Sequence, residues 1–76
     1  MDNIYAILQE LRPEFDYHNS DNFIEDGMLD SFDIVSLVTE LEDQYSIRID
    51  GLDIVPENFA SAAAIASVIT KNGGTL

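Results

Sequence analysis

A chain of 76 residues with no cysteine and a single histidine has room for one small domain, and no disulfide framework, thiolate metal site or cysteine nucleophile is open to it. Its 15 acidic against 3 basic residues give a formal net charge of -12, which disfavours DNA, RNA and anionic lipid surfaces and favours partners carrying basic patches. Acidity of this degree also occurs in disordered chains, but a hydrophobic content of 46% at helical spacing is too high for that class.

The N-terminus, Met1-Asp2-Asn3-Ile4-Tyr5, lacks the basic flank and apolar run of a secretory signal, and no stretch is apolar enough for long enough to span a bilayer. The expectation is a soluble, cytoplasmic monomer without stable membrane insertion. Because Met1 begins the chain and no linker-like composition follows it, a stand-alone protein is expected.

Ile4, Ile7, Leu8 and Leu11 fall at i, i+3, i+4 and i+7, which predicts a first helix over about 2–12, with Asp2 as cap and Pro13 as stop. A loop over 13–30 follows, rich in acids and turn formers, and so long a connection in so small a domain calls for apolar anchors. Phe15, Phe23 and Ile24 are the predicted ones. His18 has no second ligand at metal-binding spacing and reads as a solvated loop residue. A calcium-loop reading of the acids fails on register, since neither Asp16 nor Asp21 as a start places the glycine and closing glutamate where the cage needs them.

The central helix is predicted over about 31–45, with Val35, Val38, Leu41 and Tyr45 as its buried stripe, Leu37 beside them, and Asp33, Ser36, Glu40 and Asp43 pointing elsewhere. Phe32 and Ile34 lie off that stripe. They either fold back onto the loop or form a small exposed apolar contact ringed by acids, and the sequence leaves both open. Ser46 to Asp50 alternates like a strand but is too short and isolated for a sheet, so it is expected as an extended connection with Ile47 and Ile49 inward. Pro56 suits the first position of a short helix over about 55–59. A last helix is predicted over about 61–71, burying Ala62, Ile65, Val68 and Ile69 and closing at Asn72-Gly73-Gly74 as a C-cap and frayed tail. The predicted fold is therefore all-α, with three main helices and one short one.

The chemistry centres on Ser31. With Asp30 as N-cap, Ser31 takes the first helical position and Asp33 the third, a carboxylate form of the capping box, so that the two acids cap the helix and the serine hydroxyl is left free. It stands at the positive end of the helix dipole among unpaired N–H groups, a place that favours a phosphate. As a catalytic nucleophile Ser31 is poorly served, because His18 has no orienting partner. A catalytic role is not expected.

The stretch from Asp26 to Val38, reading DGMLDSFDIVSLV, resembles the phosphopantetheine attachment motif of acyl carrier proteins, in which Asp-Ser-Leu opens an acidic amphipathic helix. The likeness extends over most of the chain: first helix, long loop, serine opening the second helix, short third helix and closing fourth helix. It implies a small four-helix bundle of acyl-carrier type in which Ser31 receives a 4'-phosphopantetheine arm from coenzyme A through a phosphopantetheinyl transferase. The arm's thiol then carries acyl or aminoacyl groups as thioesters between partner enzymes, and the carrier itself is not an enzyme. The same resemblance makes the second helix the docking face, with Asp30, Asp33, Glu40, Glu42 and Asp43 meeting basic patches on loading ligases or synthases and Met28, Leu29, Phe32 and Ile34 supplying the apolar complement.

Two departures bear on the cargo. Phe32 replaces the leucine usual after the serine in fatty-acid carriers, and Ser36 stands where many of them have glutamate. This wording is closer to D-alanyl carriers and to some stand-alone aminoacyl or peptidyl carriers. From another class, an unmodified acidic helical adaptor that binds a basic partner helix is the alternative, with Ser31 then only part of the cap.

Overall fold

Ile4, Ile7 and Leu8 are buried along one face of the first helix, α1 (Asp2–Leu11), in a computed structural model that describes residues 2–76. Asp2 is itself helical, and Met1 lies outside the described residues. The chain continues through the long connection into α2 (Ser31–Tyr45) and ends in α3 (Ala62–Lys71). Short 3₁₀ turns at Tyr17–Asn19, Gly51–Asp53 and Pro56–Phe59 complete an all-helical architecture with no strand among the described residues. The short helix expected around Pro56 is thus a 3₁₀ turn, with the proline at its start where its missing N–H costs nothing. No helix among the described residues is long and apolar enough to cross a membrane.

The buried stripe of α2 differs from the sequence expectation. It runs through Ile34, Leu37, Val38 and Leu41, whereas Val35 is 63% exposed and Tyr45 only half-buried. The reason is angular. Steps of three residues, as in Val35, Val38 and Leu41, drift around a helix that turns about 100° per residue, while Ile34, Leu37, Val38 and Leu41 keep to i, i+3, i+4 and i+7. Ile34 is accordingly a core residue and Phe32, 79% exposed, projects outward instead of folding back on the loop. Leu37 and Leu41 meet Ile4 and Leu8 of α1 and Ile65 and Ile69 of α3 in one fully buried core.

The connection over 13–30 is packed rather than open. Phe23 is its principal anchor: it is buried, its N–H donates to the Ala60 carbonyl (2.7 Å), and its own carbonyl accepts from the N–H groups of Met28 (2.8 Å) and Leu29 (3.3 Å). Tyr17 is a second anchor that the apolar pattern did not single out. It is buried edge-on to Phe23, with centroids 5.2 Å apart, and its hydroxyl donates to the Arg12 carbonyl (3.1 Å). Burial pushes the Tyr17 hydroxyl up to about 12. Phe15 and Ile24 are half-buried, and His18 is exposed, its ring stacked on that of Tyr5 at 3.8 Å.

Beyond α2 the chain is extended over 46–50, with Ile49 buried and Ile47 half-buried as expected. Ser46 turns the corner in the left-handed region (φ 54°) while its N–H caps the Glu42 carbonyl. A serine in that conformation carries a Cβ penalty that glycine lacks. Ser46→Gly is therefore expected to stabilise the fold by about 0.5–1 kcal/mol once glycine's extra unfolded-state freedom is subtracted, raising Tm by roughly 2–8 °C. A Tm in thermal circular dichroism that is unchanged or lower would show the serine side chain to be worth more there than its strain.

The end of α3 is fastened, not frayed. Gly73 (φ 92°) donates to the Thr70 carbonyl (3.1 Å) and Gly74 to that of Ile69 (2.8 Å), the paired bonds of a Schellman motif. A Cβ on Gly74 would run into the Ile69 Cγ2 methyl. Nearby, buried Asp53 accepts from Lys71 Nζ (2.7 Å) and Asn72 Nδ2 (3.3 Å), tying the Gly51–Asp53 turn to the end of α3. The hydrogen bond that Lys71 donates holds the Asp53 carboxyl below its ordinary range and raises the Lys71 ammonium above its own.

Candidate functional site

The N-terminus of α2 is held from three directions. Behind it, the two N–H bonds to the Phe23 carbonyl fix Met28 and Leu29, and Leu29 is buried as a further peg. At the cap itself, Asp30 is extended (φ -108°, ψ -177°) and its Oδ1 accepts the Asp33 N–H (2.9 Å), while Asp33 Oδ2 accepts the Asp30 N–H (3.1 Å). This is the reciprocal capping box that the spacing predicts. From the side, the Arg12 guanidinium donates to the same Asp33 Oδ2 (2.8 Å) and, through Nε, to Glu14 (2.9 Å). The end of α1 is thereby bolted to the start of α2.

These bonds set the charges. The N–H of Asp33 lowers the Asp30 carboxyl below its ordinary range, with a smaller contribution from Arg12. Hydrogen bonding to Glu14 and the fields of both acids raise Arg12. Asp33 is buried, at 6% exposure, and its carboxylate is consumed by the cap and by Arg12. Arg12 was not legible as a member of the site, because nothing local in the sequence links position 12 to position 33.

Ser31 is exposed at the first helical position. Since Asp30 and Asp33 close the box, its hydroxyl stands outside the cap. It lies on the rim of an open cleft of about 250 Å³ lined by Ile24, Leu29, Asp30, Ser31, Ile34 and Pro56. Loop, helix and the Pro56–Phe59 turn thus converge beside the one hydroxyl that the sequence reading singled out. The lining is apolar apart from Asp30 and Ser31 themselves.

The predicted docking residues divide. Asp30, Phe32, Glu40 and Asp43 are exposed, with Val35, expected in the core, added to the outward apolar surface one turn beyond Phe32. Leu29, Asp33 and Ile34 are buried and are not surface contacts: Leu29 and Ile34 belong to the core, and Asp33 is spent on the cap and Arg12. Met28 is half-buried, and Glu42 is half-buried with its Oε2 accepting the Ile49 N–H (2.9 Å), so it serves the 46–50 connection. Glu40 also lines a second cleft, about 200 Å³, with Ile7, Glu10 and Leu11 between α1 and α2. No group of three or more His, Asp or Glu among the described residues is placed to hold a metal ion.

Compared with models of known protein families, with curated proteins and with solved structures, the chain matches none.

Proposed function

We propose that this chain is a carrier of the acyl-carrier type, bearing a 4'-phosphopantetheine arm on Ser31 and passing acyl or aminoacyl thioesters between enzymes. One observation carries the reading above the others: an exposed serine at the first position of α2, excluded from a cap that Asp30 and Asp33 complete without it. A capping serine would be occupied by the helix N–H groups, whereas this one is available to a partner enzyme.

The fit of the arm to these residues is chemical. A phosphodiester on Ser31 would face the unpaired N–H groups and positive dipole end of α2, which favour an anion, and the arm would supply the thiol that a chain without cysteine lacks. The order α1, anchored loop, α2, Pro56–Phe59 turn, α3 supports the four-helix arrangement implied by the resemblance of the Ser31 stretch to acyl carriers, the third helix being the short turn. Phe32 and Val35, flanked by the exposed acids Asp30, Glu40 and Asp43, offer a basic partner an apolar contact with electrostatic steering around it. Such steering speeds encounter while leaving each complex weak, as a shuttle between enzymes requires. The wording around Ser31 favours an aminoacyl or D-alanyl cargo over a fatty-acyl one.

The test is an intact mass of the purified chain before and after incubation with coenzyme A and a promiscuous phosphopantetheinyl transferase. A gain of one phosphopantetheine on the wild type and none on Ser31→Ala is expected. A folded wild type that gains nothing would overturn the carrier reading and put the acidic adaptor in its place, since that reading needs only the outward face of α2.

A further inference from the structure

The cleft at Ser31 is more than an accident of packing at a helix end. Its floor is built from residues that the fold holds rigidly: Leu29 and Ile34 are buried, at 2% and 5% exposure, and Leu29 is pinned by its N–H bond to the Phe23 carbonyl. Its walls are half-buried Ile24 and the ring of Pro56. Ser31 is on its rim, so whatever is tethered to the serine oxygen starts at the mouth of an apolar depression.

Building on the carrier reading above, we infer that this cleft is a seat for the arm itself, taking the branched dimethyl segment next to the phosphate. Bond lengths near 1.5 Å put those two methyls within about 6 Å of the serine oxygen, so they reach the cleft without the arm folding back. The phosphate stays outside at the helix terminus, where N–H groups and dipole favour it, beside an Asp30 carboxylate whose Oδ1 already accepts the Asp33 N–H. Apolar methyls against Ile24, Leu29, Ile34 and Pro56 leave water, which is favourable in proportion to the area covered.

The size of the cleft limits what else it can do. Pockets that enclose a whole drug-sized ligand begin at about 300 Å³, and this open depression holds about 250 Å³. With the dimethyl segment seated in it, the remainder of so small and open a cleft cannot enclose a long acyl chain. The thiol and its thioester are then directed outward, the start of the arm is held in one place, and the distal part swings. A carrier built this way presents its cargo to partners instead of sheltering it, which suits short polar groups such as aminoacyl thioesters.

The experiment uses the holo chain prepared with the transferase and labelled with ¹⁵N and ¹³C, the arm left unlabelled. Filtered nuclear Overhauser spectra are expected to connect the two arm methyls to the side-chain methyls of Ile24, Leu29 and Ile34, and loading is expected to shift those resonances relative to the apo chain. In Ile24→Ala, checked by mass to be fully loaded, the cross-peaks are expected to weaken at least twofold. A fully loaded wild type whose arm methyls show no contact with the cleft would overturn the seat while leaving the carrier reading intact. A chain that never loads fails the carrier reading instead. If a dodecanoyl-loaded form, made from dodecanoyl-coenzyme A, showed cargo methylenes in the cleft in place of the arm methyls, the seat would be for cargo and the inference overturned.

Discussion

Asp33→Ala is expected to lower Tm by roughly 8–16 °C, whereas Ser31→Ala moves it by no more than a few degrees. The two residues are neighbours on the first turn of α2 and either could be mistaken for its cap. Their environments differ. Asp33 is buried and accepts from the Asp30 N–H and from Arg12, so alanine there leaves a cap N–H without its partner and severs the bond between α1 and α2. Loss of a capping side chain costs about 1 kcal/mol, and a buried polar group left unpaired adds about 1 kcal/mol more. Ser31 is exposed and outside the box, and exposed substitutions clear of such features fall within about 0.5 kcal/mol. The measurement is thermal circular dichroism on both variants beside loading by mass. Should Ser31→Ala prove the more damaging to Tm, the hydroxyl is a structural cap after all, and the observation that sets it apart for modification is lost. Asp33→Asn separates geometry from charge: an amide oxygen can still accept the Asp30 N–H, so about half of the loss is expected to return.

What the sequence made legible was periodic or local. The i, i+3, i+4 spacing placed α1 and α3 to within a residue or so, because each presents one unambiguous apolar face. The capping box was equally legible, since its partners stand three residues apart and their chemistry is fixed by that distance. In α2 the same spacing misled, because Val35 and Ile34 are both apolar and only one can face the core. The choice between them is made by α1 and the Pro56–Phe59 turn, which pack against α2, and no window confined to α2 contains that information.

The parts that sequence reading passed over are long-range and polar. Arg12 with Asp33, and Lys71 with Asp53, join positions far apart in the chain, and a single acid among 15 carries no mark of having a buried partner. These two pairs employ two of the three basic residues of the chain. In so acidic a protein the scarce cations are used where the fold must be joined, at the start of α2 and the end of α3. Most remaining acids lie on the surface, where they repel one another and attract basic partners. The cleft at Ser31 was illegible for a related reason, being bounded by Ile24 in the loop, Ile34 in α2 and Pro56 in the turn, which meet only once the loop is anchored.

That anchorage gives the largest expected loss of stability. Phe23→Ala is expected to cost about 3–5 kcal/mol against a total of about 4–11 kcal/mol for a chain of this length, so the variant loses roughly a quarter or more of its stability and, at the low end of that total, all of it. Phe23 is 1% exposed and its ring meets the edge of Tyr17. Its backbone also links the Ala60 carbonyl to the N–H groups of Met28 and Leu29. Removing the ring opens a cavity under the connection and frees the segment that delivers Ser31 to its place, so loading by the transferase is expected to slow along with the fall in stability. Urea denaturation is the appropriate measurement, with the midpoint falling while the slope stays near that of the wild type. Phe15→Ala is the internal comparison: that ring is half-buried, and its loss is expected to be well under half as large. Equal effects of the two substitutions would mean that the connection is held by its aromatic content as a whole rather than at the one residue from which the backbone of the site is suspended.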